Sequence, residues 1–381
     1  MMRHIVMLIL ALSFILPANL SARTFNTEAV DALVKAYGTP DAPGISVAVA
    51  QHGEVDYQGW TGIADLERRT AIDHHTRFHI ASISKQFTAY AIHRLAKEGK
   101  LQVDQPLSDF FPEFEASTGE LTIRHLLDHT GGLREVNSLV QMLGLSEGSP
   151  ITANQMLAVI LRQESVNFEP GTDEEYSNTG YQLLAHIVAK SSGQSFADYM
   201  QNEIFSPLAM DHSIVRTDPQ AMIRNVAVSY ENTGQSFIHT PILATAFGST
   251  GIVSTPRDLL KWGHWLNTQE LAGAPVMRAM AERARLPDGR SVVAGNGQEF
   301  RLFRGVKTWS HGGTAGGFKS FLLRIPDHGI VIAVAGNRAD FLKAAFAFDV
   351  AEAVLGATLE PAPEPDMTPE TKAELDSYAG D

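Results

Sequence analysis

The sequence predicts an α/β fold of the α+β type: an antiparallel sheet built from both chain ends, flanked by helices, with a mostly helical region inserted between the two sets of strands. Three observations carry this expectation. Strand-like runs occur near residues 44–60 and return near 300–335, apolar residues spaced three and four apart fill the stretch between, and one last helical pattern follows. With 381 residues, 44% of them apolar, the chain is long enough to bury a large core.

Taken in order, the first 22 residues place Arg3 and His4 before an apolar stretch from Ile5 to Leu16, then Pro17 and the small residues Ser21 and Ala22. That order is a secretory leader cleaved near Ala22, and the apolar stretch is shorter than the roughly 18 to 20 residues that a membrane anchor needs. The expected location is periplasmic or secreted, with no stable membrane insertion after leader removal. Gly44-Ile45-Ser46-Val47-Ala48-Val49-Ala50 alternates small and β-branched residues, and Gly53 turns the chain toward Tyr57-Gln58-Gly59-Trp60, which reads as a hairpin. From about Ser82 the period becomes helical, as in Phe87, Ile92 and Leu95, or Tyr181, Leu184, Ile187 and Val188; the helical region is expected over about 82–290. Period-two runs then return at Phe300–Phe303, Gly317–Ile325 and Ile330–Ala335, with Asn296-Gly297 and Asp327-His328-Gly329 as turns. A final helix is expected from about Ala339 to Leu355. Residues 23–360 thus form one domain, and Pro361, Pro363, Glu364 and Pro365 begin a stiff polar linker over 361–381.

Composition narrows the function. There are 43 acidic against 30 basic side chains, a net charge of −13, and no run of Lys and Arg to track a phosphate backbone, so nucleic acid is not an expected partner. Cysteine is absent, which removes disulfides, thiolate metal sites and thiol nucleophiles together.

The strongest chemical signal is Phe78-His79-Ile80-Ala81-Ser82-Ile83-Ser84-Lys85, where a short strand-like run enters an amphipathic helix at Ser82. A spacing of three puts Ser82 and Lys85 on one helical face, and a helix N-terminus favours a developing oxyanion at the serine. Alone, the pattern is more often that of a capping serine and a solvated surface lysine. Two further stretches alter the weighing: Pro170-Gly171-Thr172 followed by Tyr176-Ser177-Asn178, and Trp309-Ser310-His311-Gly312-Gly313-Thr314.

With these stretches, residues 26 to 357 resemble the serine β-lactamase and penicillin-binding protein superfamily, most of all its branch of class C β-lactamases, D,D-peptidases and esterases. That branch shows S-x-x-K, then Y-x-N, then K-T-G or H-x-G, in this order. Leu126–Leu133, Ile204–Met210 and Gly248–Thr255 add to the likeness. The resemblance implies that Ser82 is the acylated nucleophile, Lys85 its proton partner, Tyr176 the base and leaving-group acid, and Asn178 a donor that holds substrate. It places His311, Gly312 and Gly313 on the strand edging the cleft and makes the N–H groups of Ser82 and Thr314 an oxyanion hole. Unperturbed, phenol and amine titrate near 10 and 10.4, so either serves as base only if its surroundings shift it, and the sequence leaves open which one does. His311 stands where β-lactamases of this branch carry lysine, which removes a permanent cation, while a histidine can still support Tyr176 by donating or relaying a proton. Several relatives continue into a small β-barrel, and Ser377-Tyr378-Ala379-Gly380 looks like the start of one.

Other motifs are read as decoys. Gly144-Leu145-Ser146-Glu147-Gly148 matches a G-x-S-x-G elbow but lacks the preceding strand. Glu164 and Asn167 resemble a deacylating loop in the reverse chain order, and deacylation is expected to use water activated near Tyr176. His74, His75 and His79 lack a zinc signature, and His129 in its Thr-Gly-Gly turn is expected to be structural. Thr255-Pro256-Arg257-Asp258 is a helix cap. The expectation is a secreted serine hydrolase, without metal or organic cofactor, that cleaves small esters, amides or peptides through an acyl-enzyme on Ser82; the alternative is a catalytically silent penicillin-binding or sensor protein on the same fold.

Overall fold

The computed structural model describes residues 26–114 and 121–362. The expected leader, residues 1–22, and all of the expected linker beyond residue 362 lie outside the described residues.

Seven strands form one antiparallel sheet: β1 (Ile45–Gln51), β2 (Glu54–Thr61), β3 (Ala294–Gly295), β4 (Gln298–Phe303), β5 (Val306–Ala315), β6 (Phe318–Ile325) and β7 (Ile330–Gly336), in the spatial order β3-β4-β5-β6-β7-β1-β2. The two chain ends meet where β1 pairs with β7, Ile45 opposite Gly336 and Gln51 opposite Ile330. The period of two explains why these central strands are small and β-branched throughout. Ile45, Val47 and Val49 of β1, with Ile330, Ile332 and Val334 of β7, face a core shared with α1 (Thr27–Ala36) and the C-terminal helix. Ala48 and Ala50, with Val331 and Ala333, face the larger core of the helical region. A strand buried on both faces has no polar side, and β1 is buried from Ile45 to Ala50.

Within the helical region, α2 (Ser84–Lys97) runs through the interior, packed against α3 (Asn178–Ser192). Helix α4 (Pro256–Leu271) covers β1, β6 and β7. Helix α5 (Lys343–Leu355) packs on the opposite face, and it begins at Lys343 rather than the expected Ala339 because Asn337 ties the preceding chain down. Asn337 accepts from Gly44 N and donates to Ile63 O and Val228 O.

The inserted region is not helical throughout. Phe78–His79 and Ile214–Val215 flank Ile252–Ser254 in a small sheet, and Tyr230–Asn232 pairs with Phe237–His239. Runs of two or three residues are too short to show a period, which is why the pattern concealed them.

Candidate active site

Ser82 does not open the α-helix. It lies in a 3₁₀ turn, Ala81–Ile83, between the strand Phe78–His79 and α2. The turn is fixed from both sides: Ile80 N donates to Ile252 O, and Ser320 Oγ of β6 donates to Ile80 O at 2.7 Å. Ala81 carries φ +48°, a left-handed conformation that alanine rarely adopts and that the surrounding bonds must hold. Lys85 lies three residues on, in the first turn of α2, on the same side of the chain as Ser82, so it reaches back to the serine.

Lys85 is fully buried. Its Nζ lies 3.2 Å from Ser82 Oγ, 2.7 Å from Asn178 Oδ1 and 2.9 Å from the Ser249 carbonyl oxygen. Burial pushes the amine down to about 7, against a smaller opposing pull from Glu135. A neutral amine has two N–H groups and one lone pair. The two acceptor-only partners, Asn178 Oδ1 and Ser249 O, take the two donors, and the lone pair is left for the serine hydroxyl.

The orientation of Asn178 is set by Glu135, which the sequence reading did not single out. Glu135 precedes the helix Val136–Met142, and its carboxylate accepts from Asn178 N at 2.8 Å and from Asn178 Nδ2 at 2.9 Å. Asn178 therefore holds Lys85 with its oxygen and keeps one N–H for the cleft that it lines. The signal available for Glu135 was only an acid immediately ahead of a helix, three residues past the Gly131-Gly132 turn.

Tyr176 immediately precedes the N-cap Ser177 of α3, whose N–H donates to His129 Nδ1 at 3.0 Å. The His129 ring lies 4.5 Å from that of Tyr176, and burial keeps it neutral. Tyr176 as a residue is 41% exposed, and its hydroxyl is hydrogen-bonded to Ser82. Burial of that end, outweighing the serine bond and aided by Glu135 and Glu299, drives the phenol well above its ordinary range. Lys85 Nζ stands 4.7 Å from the Tyr176 ring centroid. The serine hydroxyl thus lies between an amine with depressed basicity and a phenol that keeps its proton.

The cleft edge is β5. The hairpin from β5 to β6 closes through the two residues Gly316-Gly317, and a two-residue loop makes Ala315 and Phe318 a hydrogen-bonded pair. Alternation then turns the N–H and C=O of Thr314 away from β6, toward the side where β4, ending its pairing at Glu299–Ser310, no longer covers the strand. Thr314 and Ser82 line the same cleft, of about 540 Å³. Gly313 permits this approach: a Cβ there would stand 2.2 Å from Ile80 O and 2.3 Å from Ser320 Oγ. Gly312 faces the other way, toward Phe321 and Lys343.

His311 is buried and held neutral, pushed down to about 3 by burial and then by Lys85. Its Nδ1 is 2.7 Å from Gly312 O, an acceptor, so Nδ1 carries the proton and Nε2, without a partner among the described residues, can only accept. Donation to Tyr176 from this ring, one of the expected roles, is not available in this arrangement. The strand nevertheless meets a cation that the sequence reading missed: Lys343 Nζ donates to Gly313 O and Thr314 Oγ1.

The decoys resolve physically. Gly144–Gly148 follows a helix, Ser146 Oγ accepts from Gly148 N within its own turn, and Glu147 Oε2 accepts from Gly316 N across the cleft mouth. This segment is cleft wall. The rings of His74 and His75 lie 3.9 Å apart at a tilt of 40° and those of His75 and His212 5.2 Å apart at a tilt of 30°, and among the described residues no group of three or more His, Cys, Asp or Glu is placed to hold a metal ion. No helix among the described residues is long and apolar enough to cross a membrane.

Comparison with known proteins agrees with this frame. The family model described as Beta-lactamase matches residues 30–355. The D-aminopeptidase of Brucella canis is 27% identical over 278 residues, covering 73% of this chain and 53% of that protein, so the chain spans about half the length of the curated relatives it matches. Among solved structures, the octameric penicillin-binding protein homologue from Pyrococcus abyssi superposes with a TM-score of 0.77 at 25% identity, covering 87% of this chain and 77% of that one. The D-amino acid amidase from Ochrobactrum anthropi SV3 shares the fold, with a TM-score of 0.73 at 23% identity over 85% of this chain and 97% of that one.

Proposed function

The chain belongs to the β-lactamase family, and from that premise we propose that it is a serine hydrolase that cleaves small amides or esters through an acyl-enzyme on Ser82. The observation that carries this reading is the bonding of one amine: Lys85 Nζ is saturated by Asn178 Oδ1 and Ser249 O on two sides and faces Ser82 Oγ on the third. Lys85 takes the serine proton as Ser82 Oγ attacks the substrate carbonyl. The oxyanion develops toward the N–H groups of Ser82 and Thr314, and Tyr176, which keeps its proton at neutral pH, donates it to the leaving group. Water activated beside the resulting phenolate then releases the acyl group and restores both partners.

Amides of D-amino acids are the first choice of substrate, a reading that rests on the D-aminopeptidase relatives. His311 in place of a lysine on β5 weighs against a β-lactam as the principal substrate, and the order of the motifs supports the class C-like branch. The single domain over 23–360 and secretion after loss of residues 1–22 complete the proposal. The test is a panel of D-alanyl p-nitroanilide, p-nitrophenyl esters and nitrocefin on wild type and Ser82→Ala. Turnover of the anilide or ester by wild type alone supports the reading. Equal turnover by both removes the nucleophile, and one equivalent of product without steady turnover identifies the silent binding protein instead.

A further inference from the structure

We propose that Lys343 is a positioning residue for the oxyanion hole, its ammonium gripping and polarising the peptide unit between Gly313 and Thr314. This rests on the assignment of Ser82 and Thr314 above and adds a residue that no motif contains.

The geometry is that of one amide. Gly313 C=O and Thr314 N–H belong to the same trans peptide, so they point in opposite directions. The ladder turns Thr314 N–H to the open edge of β5, and Gly313 C=O therefore points back into the sheet, where Lys343 Nζ donates to it at 2.5 Å. The same ammonium donates to Thr314 Oγ1 at 2.5 Å, which fixes both residues of the unit. The stem reaches this position because residue 312 has no side chain: a Cβ on Gly312 would sit 3.1 Å from Lys343 Cε.

A cation on the carbonyl draws electron density from the amide nitrogen, and the N–H at the other end becomes a stronger donor to a negative oxygen. The effect is larger for the oxyanion than for the neutral carbonyl of bound substrate, so it lowers the barrier rather than KM. His311, at the position where the motif otherwise carries a cation, is neutral and cannot supply this. The groups facing the Lys343 amine are Lys319 on β6, Glu299 on β4 and His311 on β5. Burial first and Lys319 second push the amine down to about 8, with Glu299 opposing.

The experiment compares wild type, Lys343→Met, Lys343→Arg and Ser82→Ala on a p-nitrophenyl ester, with the affinity of phenylboronic acid, which forms a tetrahedral anion on the serine, measured alongside. Lys343→Met is expected to lower kcat about ten- to thirtyfold, a part of the roughly 10²–10³ that a whole oxyanion donor is worth, while KM stays within about twofold. Boronate affinity falls by the same factor as kcat, and Lys343→Arg recovers most of both. Because the ammonium is the active form, wild-type kcat declines above about pH 8, whereas Lys343→Arg holds its rate to higher pH; the wild-type limb needs no substitution and stands if Lys343→Met folds poorly. Wild-type kcat in Lys343→Met, or a loss that the arginine does not rescue, overturns the polarised peptide while Ser82→Ala stays inactive. Full turnover by Ser82→Ala brings down the site assignment itself.

Discussion

Replacing Lys85 with methionine tests the electrostatics at the centre of the site, because the wild-type protein buries an amine that would rather be charged. Its pKa falls from 10.5 to about 7 on folding, and burial is the main cause. Between those values the unfolded chain binds a proton that the folded chain does not, so stability rises with pH across this window and the handicap is fully present below about pH 7. That drop corresponds to about 5 kcal/mol in full, of which about 2 kcal/mol is relieved between pH 7 and pH 9. Lys85→Met carries no such handicap, but it orphans Asn178 Oδ1 and Ser249 O at about 1–3 kcal/mol each. The two effects nearly offset at pH 7, so the variant is expected within a few kcal/mol of wild type there. Urea unfolding followed by tryptophan fluorescence at pH 6, 7, 8 and 9 measures this. Wild type should gain about 2 kcal/mol on the variant from pH 7 to pH 9, while the variant loses activity by about a thousandfold. A stability difference that stays flat across that range would mean that the amine keeps its proton in the folded state, and the account of Lys85 as base would be wrong.

Three further outcomes follow from the same geometry. Glu135→Gln removes the negative charge that favours the Lys85 ammonium, so the acid limb of kcat/KM, expected near pH 7, should move to lower pH, with kcat down about tenfold from the loosened Asn178; an upward or absent shift in the pH–rate profile contradicts this. Gly313→Ala drives a Cβ into Ile80 O and Ser320 Oγ and should lose about 2 kcal/mol or more together with most activity, read by thermal melts and ester turnover. His311→Gln should leave the midpoint of the acid limb in place between pH 5 and pH 9, because burial already keeps the ring neutral there; a shifted midpoint would make the histidine a titrating participant.

What was legible in the sequence was whatever repeats locally. The Gly44–Trp60 hairpin and the runs ending at Ile325 and Ala335 announced themselves by their period of two: β1, β6 and β7 set alternate residues into two cores, whereas the edge strand β2 buries only Tyr57. Strand β5 did not, since Lys307, Ser310, Gly312 and Gly313 break the period, and only the motif pointed to it. Ser82 and Lys85 were legible as neighbours through their spacing of three, although only Lys85 belongs to the α-helix and Ser82 sits in the 3₁₀ turn ahead of it. The order of acidity between amine and phenol was not legible, because it depends on how deeply each polar end is enclosed. Glu135 and Lys343 escaped notice for a related reason. They act through Asn178 and through the Gly313–Thr314 peptide, contacts made by packing between elements 43 and 29–30 residues apart.

The measurement closest to the heart of the account is intact-protein and peptide mass spectrometry after rapid quench with a slowly deacylating ester. The mass of one acyl group should appear on the peptide that contains Ser82, form fastest in wild type, form far more slowly in Lys85→Met and be absent from Ser82→Ala. An adduct on Ser146, or turnover with no adduct on Ser82, would contradict it.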